Sequence, residues 1–420
     1  MLRYILLVLF TLVIAPVRAE PLSFETALRI AARSSPDIAV QSANVSAARS
    51  SATASGRLPD PKLAVGIENL PVTGPDQWSL TRDFMTMRKI GVMQQIPNAA
   101  KRAAQSAGAE AAVSRAEAER RVSILKAQTE TAVAWLDRYY LDRRGALFDE
   151  LERENQLFSD AVRAQLAAGR ATPAEVVEPQ EEAADIADRR DELTAQIAKS
   201  KAVLERWVGA AADAPLAGEP PALVLDAEGL RGHVHQHPEL TAYIPMTQMA
   251  QAAVHEAEAN KRPDWGVELA YARRGSAYSD MVSLEFTLDL PLFTKNRQDP
   301  QIRARRAELS RVESERDAMF RDHTQELEDD LAVYDMTTRQ LARLRDTRLD
   351  LAEQKAQYTF ASYRGGTGDL ASVLAARRER IDVRLKRIEL EGKRAVAAAR
   401  LYYFYGPGAA QTSSELGDTK

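Results

Sequence analysis

The chain has 420 residues, 45% hydrophobic and 28% charged, with 60 acidic residues against 56 lysines and arginines and a net charge of -4. This is globular composition, which excludes a disordered or collagen-like chain, and the near-neutral balance argues against nucleic acid as a partner. The absence of cysteine excludes disulfides, thiolate catalysis, cysteine zinc sites and an N-terminal lipid on cysteine.

Arg3 is followed by an apolar run from Tyr4 to Ala15, a break at Pro16, and small residues around Ala19. This pattern reads as a secretory signal peptide over 1–19, cleaved before Glu20. Its core is shorter than the roughly 20 residues that a spanning helix needs. No later stretch approaches that length without a charge, so export leaves the periplasm, the exterior, or an outer membrane crossed by β-strands.

The remainder is written twice. Ser35-Pro36-Asp37-Ile38 corresponds to His237-Pro238-Glu239-Leu240, Arg57-Leu58-Pro59-Asp60 to Lys261-Arg262-Pro263-Asp264, and Gln95-Ile96-Pro97 to Asp289-Leu290-Pro291. Gly169 and Gly209 are matched at one identical offset by Gly366 and Gly406. Such self-similarity is the mark of an internal duplication. The first repeat spans 20–209, a linker 210–226, the second repeat 227–406, and a tail without periodicity 407–420.

Each repeat has the same order. A short helix opens it, and a β-hairpin follows, at about 62–96 in the first repeat and about 264–291 in the second. A proline-free run rich in Ala, Glu, Arg and Gln then predicts a very long helix, over about 98–166 and again over about 301–363. At 1.5 Å per residue the first would be about 100 Å long. Gly169 and Gly365-Gly366 stop these helices, and Thr172-Pro173-Ala174-Glu175 is a capping box that starts a return helix. The return helices cover about 172–207 and 369–404. Small residues at Ala99-Ala100, Ala103-Ala104, Ala107 and Ala111-Ala112 permit close helix approach without a large apolar face.

The second hairpin carries a period of two. Val282, Leu284, Phe286, Leu288 and Leu290 alternate with Ser283, Glu285, Thr287 and Asp289, and Trp265, Val267, Leu269 and Tyr271 with Gly266, Glu268 and Ala270. In the first, Leu63, Val65 and Ile67 oppose Ala64, Gly66 and Glu68, while the run from Phe84 to Ile96 alternates less cleanly. About ten residues is what a tilted strand needs to cross a bilayer. Four strands cannot close a barrel in lipid, where barrels start at about eight, so several chains must contribute to one wall. On this reading Glu68, Glu268, Glu285 and Asp289 face the lumen, where carboxylates favour cations. Trp265, Tyr271, Tyr278 and Phe293 are candidates for an interfacial girdle.

His233, His235 and His237 stand at alternate positions and are metal-ligand candidates by residue type. They fall at a helix boundary where only His233 and His237 share a face, and no cysteine or carboxylate pair completes a set, so no metal site is assigned. His255 and His323 lie in charged helical stretches and read as solvated. No nucleophile elbow, zinc-protease motif or phosphate loop is present, so neither catalysis nor a cofactor is assigned.

The ordered set of marks resembles the TolC-type outer-membrane efflux ducts over nearly the whole mature chain. The local marks are Leu22-Ser23-Phe24-Glu25-Thr26-Ala27-Leu28, the Pro97 and Pro291 strand-to-helix junctions, and the turn from Tyr363 to Leu374. The resemblance implies a mainly helical fold with a small membrane β-barrel. Three copies would form a homotrimer, sharing a barrel of twelve strands in outer-membrane lipid and a helical tunnel in the periplasm. It also implies a periplasmic adaptor and an inner-membrane resistance-nodulation-division pump as partners, with the duct itself passive. Lys89 to Pro97 and Pro291 to Gln298 are similar to the branch that serves heavy-metal pumps. Drug-efflux and type I secretion ducts have similar junctions, and a soluble periplasmic coiled-coil adaptor is the rival from a different class.

In relatives, acids on the second helix turn close the inner aperture; here Ser372 and Ala375 stand at those positions, so that ring is not carried over. Tyr363 matches a latching tyrosine, and Glu175 matches its acidic partner. A periplasmic gate of Tyr363, Glu175, Glu178, Arg364 and Asp369 follows as an expectation, beside the reading of these residues as caps and solvated turn positions.

Overall fold

The computed structural model describes residues 21–406; the expected signal peptide and the tail from 407 to 420 lie outside the described residues. In chain order the elements are β1 (Leu22–Ser23), α1 (Phe24–Ser34), α2 (Pro36–Ala54), β2 (Lys62–Glu68), β3 (Met87–Ile96), α3 (Ala99–Ala167) and α4 (Pro173–Val208). There follow β4 (Leu216–Ala217), α5 (Ala227–His233), α6 (Pro238–Thr241), α7 (Tyr243–Ala259), β5 (Trp265–Arg273) and β6 (Met281–Leu288). The last helices are α8 (Gln298–Arg343), α9 (Leu349–Arg364) and α10 (Leu370–Arg400). The fold is mainly α, with the order helix, hairpin, long helix, return helix occurring twice.

α3 has 69 residues, far beyond the usual globular helix of 10–14. Its counterpart is not one regular helix. A π turn at Leu344–Arg348 joins α8 to α9, and a second π turn, Leu401–Tyr405, follows α10. Among the described residues no helix is long and apolar enough to cross a membrane.

Two compact units divide the chain, and each takes segments from both repeats. One contains residues 126–225 and 329–404 together with 21–35. Small apolar clusters recur along its helices. Leu147, Phe148 and Leu151 of α3 pack on Ile186 and Leu193 of α4 and Ile381 of α10. Phe158 and Val162 pack on Leu370, Val373 and Leu374. The chain start is tied in as well: Trp135 Nε1 donates to the Leu22 carbonyl at 3.1 Å, and Phe24 meets the Trp135 ring edge-on at 5.3 Å. β1 pairs in parallel with β4.

A buried carboxylate organises the middle of this unit. Glu391 on α10 takes Arg345 Nη2 at 2.8 Å, Arg387 Nε at 3.0 Å and Arg143 Nη1 at 3.2 Å. Arg345 belongs to the π turn, so the irregular turn is where the helix delivers a cation to Glu391. Next to it Gly392 lies against Tyr140, where an added Cβ would stand 3.1 Å from the Tyr140 Cβ and Cγ. Only glycine permits this approach of α10 to α3 without displacing the ring.

The other unit contains residues 36–125 and 226–328 with Tyr405, and all four long strands lie in it. Their order is β2-β3-β5-β6, every pair antiparallel. The strand-to-helix junction at Pro97 is held by Asp264, which accepts the Asn98 amide at 2.7 Å and the Asn98 side chain at 2.8 Å and pairs with Lys101 at 3.0 Å. Asn98 Oδ1 in turn caps α3 by accepting the Lys101 amide at 2.9 Å. The repeated Pro-Asp motif of the second half thus starts the long helix of the first.

Burial alone would raise the Glu391 carboxyl, but the hydrogen bonds from Arg345 and Arg387 and the charge of Arg143 prevail and hold it below its ordinary value of 4.5. A carboxylate lowered by folding contributes stability above its unfolded pKa and loses it as the pH falls through the folded one. Replacing Glu391 with Gln should therefore lower stability at neutral pH by about 1–3 kcal/mol, less than a fully buried pair because the arginines are half exposed. The penalty should shrink as the pH drops below about 4.5. Thermal unfolding of both proteins across pH 3–7 checks this, and an equal penalty at every pH would contradict it.

Candidate functional site

The register sorts the four-stranded sheet into two unlike faces. Leu63, Val65 and Ile67 align with Val92, Ile90 and Arg88. Val92 and Ile90 continue across β5 to Leu269 and Tyr271, and these to Leu284 and Val282. Trp265 opposite Leu288 and Val267 opposite Phe286 extend the same face. This face is apolar and uncovered: Val65 is 74% exposed and Phe286 65%. Trp265, Tyr271, Tyr278 and Phe293, the girdle candidates, are exposed too.

The opposite face carries small and charged residues. Ala64, Gly66, Gly91, Gly266, Ala270, Ala272 and Ser283 sit here by register, beside Met87, Met93 and Met281, and space is short around Gly91 and Gly266, though not at Gly66. A Cβ on Gly91 would lie 2.9 Å from the Ala270 Cβ, and one on Gly266 would lie 2.2 Å from the Thr287 hydroxyl. Large side chains on one face and small ones on the other suit a sheet that curves toward the small side. On this side Glu268 stands directly opposite Glu285, a like-charge pair that is unfavourable by itself. Lys89 offsets it, reaching Glu268 at 2.9 Å and Glu68 at 3.2 Å. Three of the four predicted lumen acids thus share one face. Asp289 lies just beyond β6, its amide donating to the Asp264 carbonyl at 3.0 Å. Lys89, the cation that joins two of the acids, was not singled out from sequence, because only the register reveals it.

The strands run from seven to ten residues, and β6 is shorter than the ten-residue alternation of its sequence. Phe84 to Thr86, expected as strand, instead end the loop, where the Thr86 hydroxyl donates to the Asn69 carbonyl at 3.0 Å.

The two helix turns lie in the unit built around α4 and α10. Glu175 completes the expected capping box, accepting the Thr172 amide at 2.6 Å and the Thr172 hydroxyl at 3.1 Å. Asp369 caps α10, accepting the Ser372 amide at 2.7 Å and its hydroxyl at 3.0 Å. Arg364 lies over the Phe360 ring at 6.0 Å, and Glu178 is half-buried on α4. Tyr363 donates to Gln165 Oε1 at 2.8 Å. Its hydrogen-bond partner is therefore the end of α3, not Glu175. The Glu175 charge still reaches the phenol: burial first, then Glu175, push it above its ordinary value of 10.0. Gln165 was missed because nothing in its sequence setting distinguishes it from other helical glutamines.

No protein-family model matches this chain, and no curated protein matches it. Solved structures do. Over 94% of this chain and 89% of theirs, it superposes on the Campylobacter jejuni CmeC outer membrane channel with a TM-score of 0.79 at 10% identity. The outer membrane protein VceC of Vibrio cholerae matches over 91% of this chain and 96% of its own, at a TM-score of 0.75 and 19% identity. CusC, whose structures concern folding and transmembrane channel formation, matches over 91% and 92%, at a TM-score of 0.76 and 15% identity. The chain has the fold of an outer-membrane channel. At these identities the likeness is one of fold.

Within that channel fold the histidines are arranged differently from the sequence expectation. His233, at the end of α5, turns its ring to the Gly229 carbonyl, and His235 stacks on Phe320 at 4.2 Å. His237 caps α6, accepting the Glu239 amide at 3.3 Å. The alternating trio does not converge on one point. His255 is exposed as expected, but His323 is not solvated: it is 2% exposed. Its ring lies 4.3 Å from that of His237, and its Nε2 stands 2.9 Å from Glu239 Oε2. Helix α8 is charged in composition yet buries one face, and His323 falls on it.

The cap and the tyrosine contact are separable. Glu175→Ala should cost about 1 kcal/mol through loss of the cap while leaving Tyr363 bound to Gln165. Tyr363→Phe should cost a similar amount. A double-mutant cycle by thermal unfolding should give additive losses; a coupling above about 1 kcal/mol would show that the two side chains act as a pair.

Proposed function

We propose that the protein is an outer-membrane duct of the TolC type, a passive conduit through which a periplasmic adaptor and an inner-membrane pump deliver substrate to the exterior. The observation that carries this reading is the sheet: one face apolar and exposed, the other small and charged, and β2 and β6 at its edges. In lipid a strand edge must be paired. Three copies supplying four strands each would close a barrel with the apolar face outward and Glu68, Lys89, Glu268 and Glu285 inward. Arg88 and Arg273 stand opposite each other at one end of the apolar face, where long cationic side chains reach the headgroups.

In this trimer the helical hairpins form the periplasmic tunnel, and the residues of the two turns, Glu175, Glu178, Tyr363, Arg364 and Asp369, lie at its inner aperture. An adaptor that competes for the Tyr363–Gln165 and cap contacts would open it. The energy for transport comes from the pump. Heavy-metal cations are the proposed cargo, on the likeness of the Lys89 to Pro97 and Pro291 to Gln298 junctions to metal-efflux ducts, with Glu268 and Glu285 favouring cations in the wall.

A duct should stay with outer membranes through high-salt washing and leave them only with detergent, and the purified protein should form channels in planar bilayers. Leu284→Arg should hinder assembly by about 2–4 kcal/mol, seen as loss of the trimer after reconstitution. Lys89→Gln should raise cation selectivity, read as a shift in reversal potential under a salt gradient; an unchanged potential would remove the charged face from the lumen. For cargo, a deletion strain is compared with wild type on copper, silver, zinc, cobalt and cadmium and on a panel of drugs. Sensitivity to drugs alone would overturn the metal reading and leave the duct.

A further inference from the structure

We propose that His237, Glu239 and His323 form a resident divalent-metal site of the Zn²⁺ class, a role separate from conducting cargo. One donor atom from each of the three lies within 4.8 Å of the others, somewhat wider than the roughly 4 Å that ligands at about 2 Å from one ion can span, so the side chains must draw in slightly to load it. Both imidazoles are nearly inaccessible, at 4% and 2% exposure, while Glu239 is partly exposed and gives an ion a way in.

The placement follows from local structure. His237 is the cap of α6 and Glu239 is in its first turn, so a two-residue spacing puts an imidazole and a carboxylate on the same side of one helix start. His323 comes from the middle of α8. The site would therefore fasten the start of the second repeat to its long helix, within one compact unit. The surroundings are dry: Val234, Leu240 and Leu327 are buried on the same segments, and the Tyr405 ring stands 5.5 Å from His237 and 6.0 Å from His323.

The neighbouring groups suit a ligating imidazole. A metal-bound histidine commonly turns its second nitrogen to a carboxylate. With Nε2 directed to the Glu239 side, His323 Nδ1 faces Glu326 at 3.8 Å, and Glu326 is itself held by the Tyr405 hydroxyl at 3.2 Å. Loading has a cost at His237. An imidazole that binds through one nitrogen carries its proton on the other, so the 3.3 Å bond that Nδ1 accepts from the Glu239 amide is lost on either nitrogen. Two imidazoles and a carboxylate without a thiolate select Zn²⁺ or Co²⁺ over soft Cu⁺ and hard Mg²⁺. Three protein ligands leave a fourth position for water.

The test uses the full-length protein, purified in detergent and stripped with a chelator. Calorimetric titration with Zn²⁺ should show one ion per chain. Glu239→Gln and His323→Gln should each weaken binding by at least about tenfold, while a His233→Ala, His235→Ala double variant should leave it unchanged. Co²⁺ added to the wild type should give visible absorption bands of low coordination number, displaced by Zn²⁺. If His323→Gln does not fold, Glu239→Gln and the cobalt spectrum decide. Coincident titrations for wild type and Glu239→Gln, or a cobalt spectrum like that of the hydrated ion, would overturn the site. Channel conductance is read separately, so failure of the metal site and failure of the duct reading are told apart.

Discussion

Backbone amides and carbonyls along a strand must find partners, and that demand governs what a four-stranded sheet can be. Here β3 and β5 are satisfied on both sides, whereas β2 and β6 each present one side outward. The sheet also leaves an apolar face uncovered, and no helix among the described residues is apolar enough to do a membrane's work in its place. In the proposed duct, burial in lipid and pairing with further copies would answer both demands at once. The small residues opposite, with Gly91 too close to Ala270 to bear a side chain, suit curvature toward that side.

The helices meet a different constraint. With alanines where a globular protein would have large residues, they bury modest clusters such as Leu147, Phe148 and Leu151, and polar contacts complete the packing. Glu391 shows how: one carboxylate gathers cations from α3, the π turn and its own helix. Asp264 plays a comparable part at the start of α3, tying a strand start to a helix cap through Asn98 and Lys101. Long helices with thin apolar seams are thus positioned by a few charged nodes, which specify register more strictly than apolar contact does.

Much of this was legible from the chain. Alternation in Val282 to Leu288 and the proline-free run through α3 state their period directly, and Thr172 with Glu175 states a helix start. What sequence could not reveal were relations between distant segments. Lys89 becomes meaningful only when register puts it between Glu68 and Glu268. Tyr363 finds Gln165 rather than Glu175 because Glu175 is already engaged by its own cap. His323 was misjudged from the charge of its neighbours, since a helix that is polar on average can still bury a narrow stripe. The three histidines close in sequence proved far less informative than one of them beside a partner 86 residues away.

The pairing of β3 with β5 has a further meaning. It joins the second strand of one hairpin to the first strand of the other, so the duplicated halves are stitched through their hairpins. In a closed ring the remaining seam, β6 of one copy against β2 of the next, joins the same kinds of strand in the same order. The ring then alternates between two equivalent seams that differ only in how they are secured: one is guaranteed by chain connectivity, the other depends on concentration and encounter. In such a ring, duplication would make half of the hairpin-to-hairpin seams intramolecular, lowering the number of molecules that must meet while keeping the geometry of an assembly of half-length subunits.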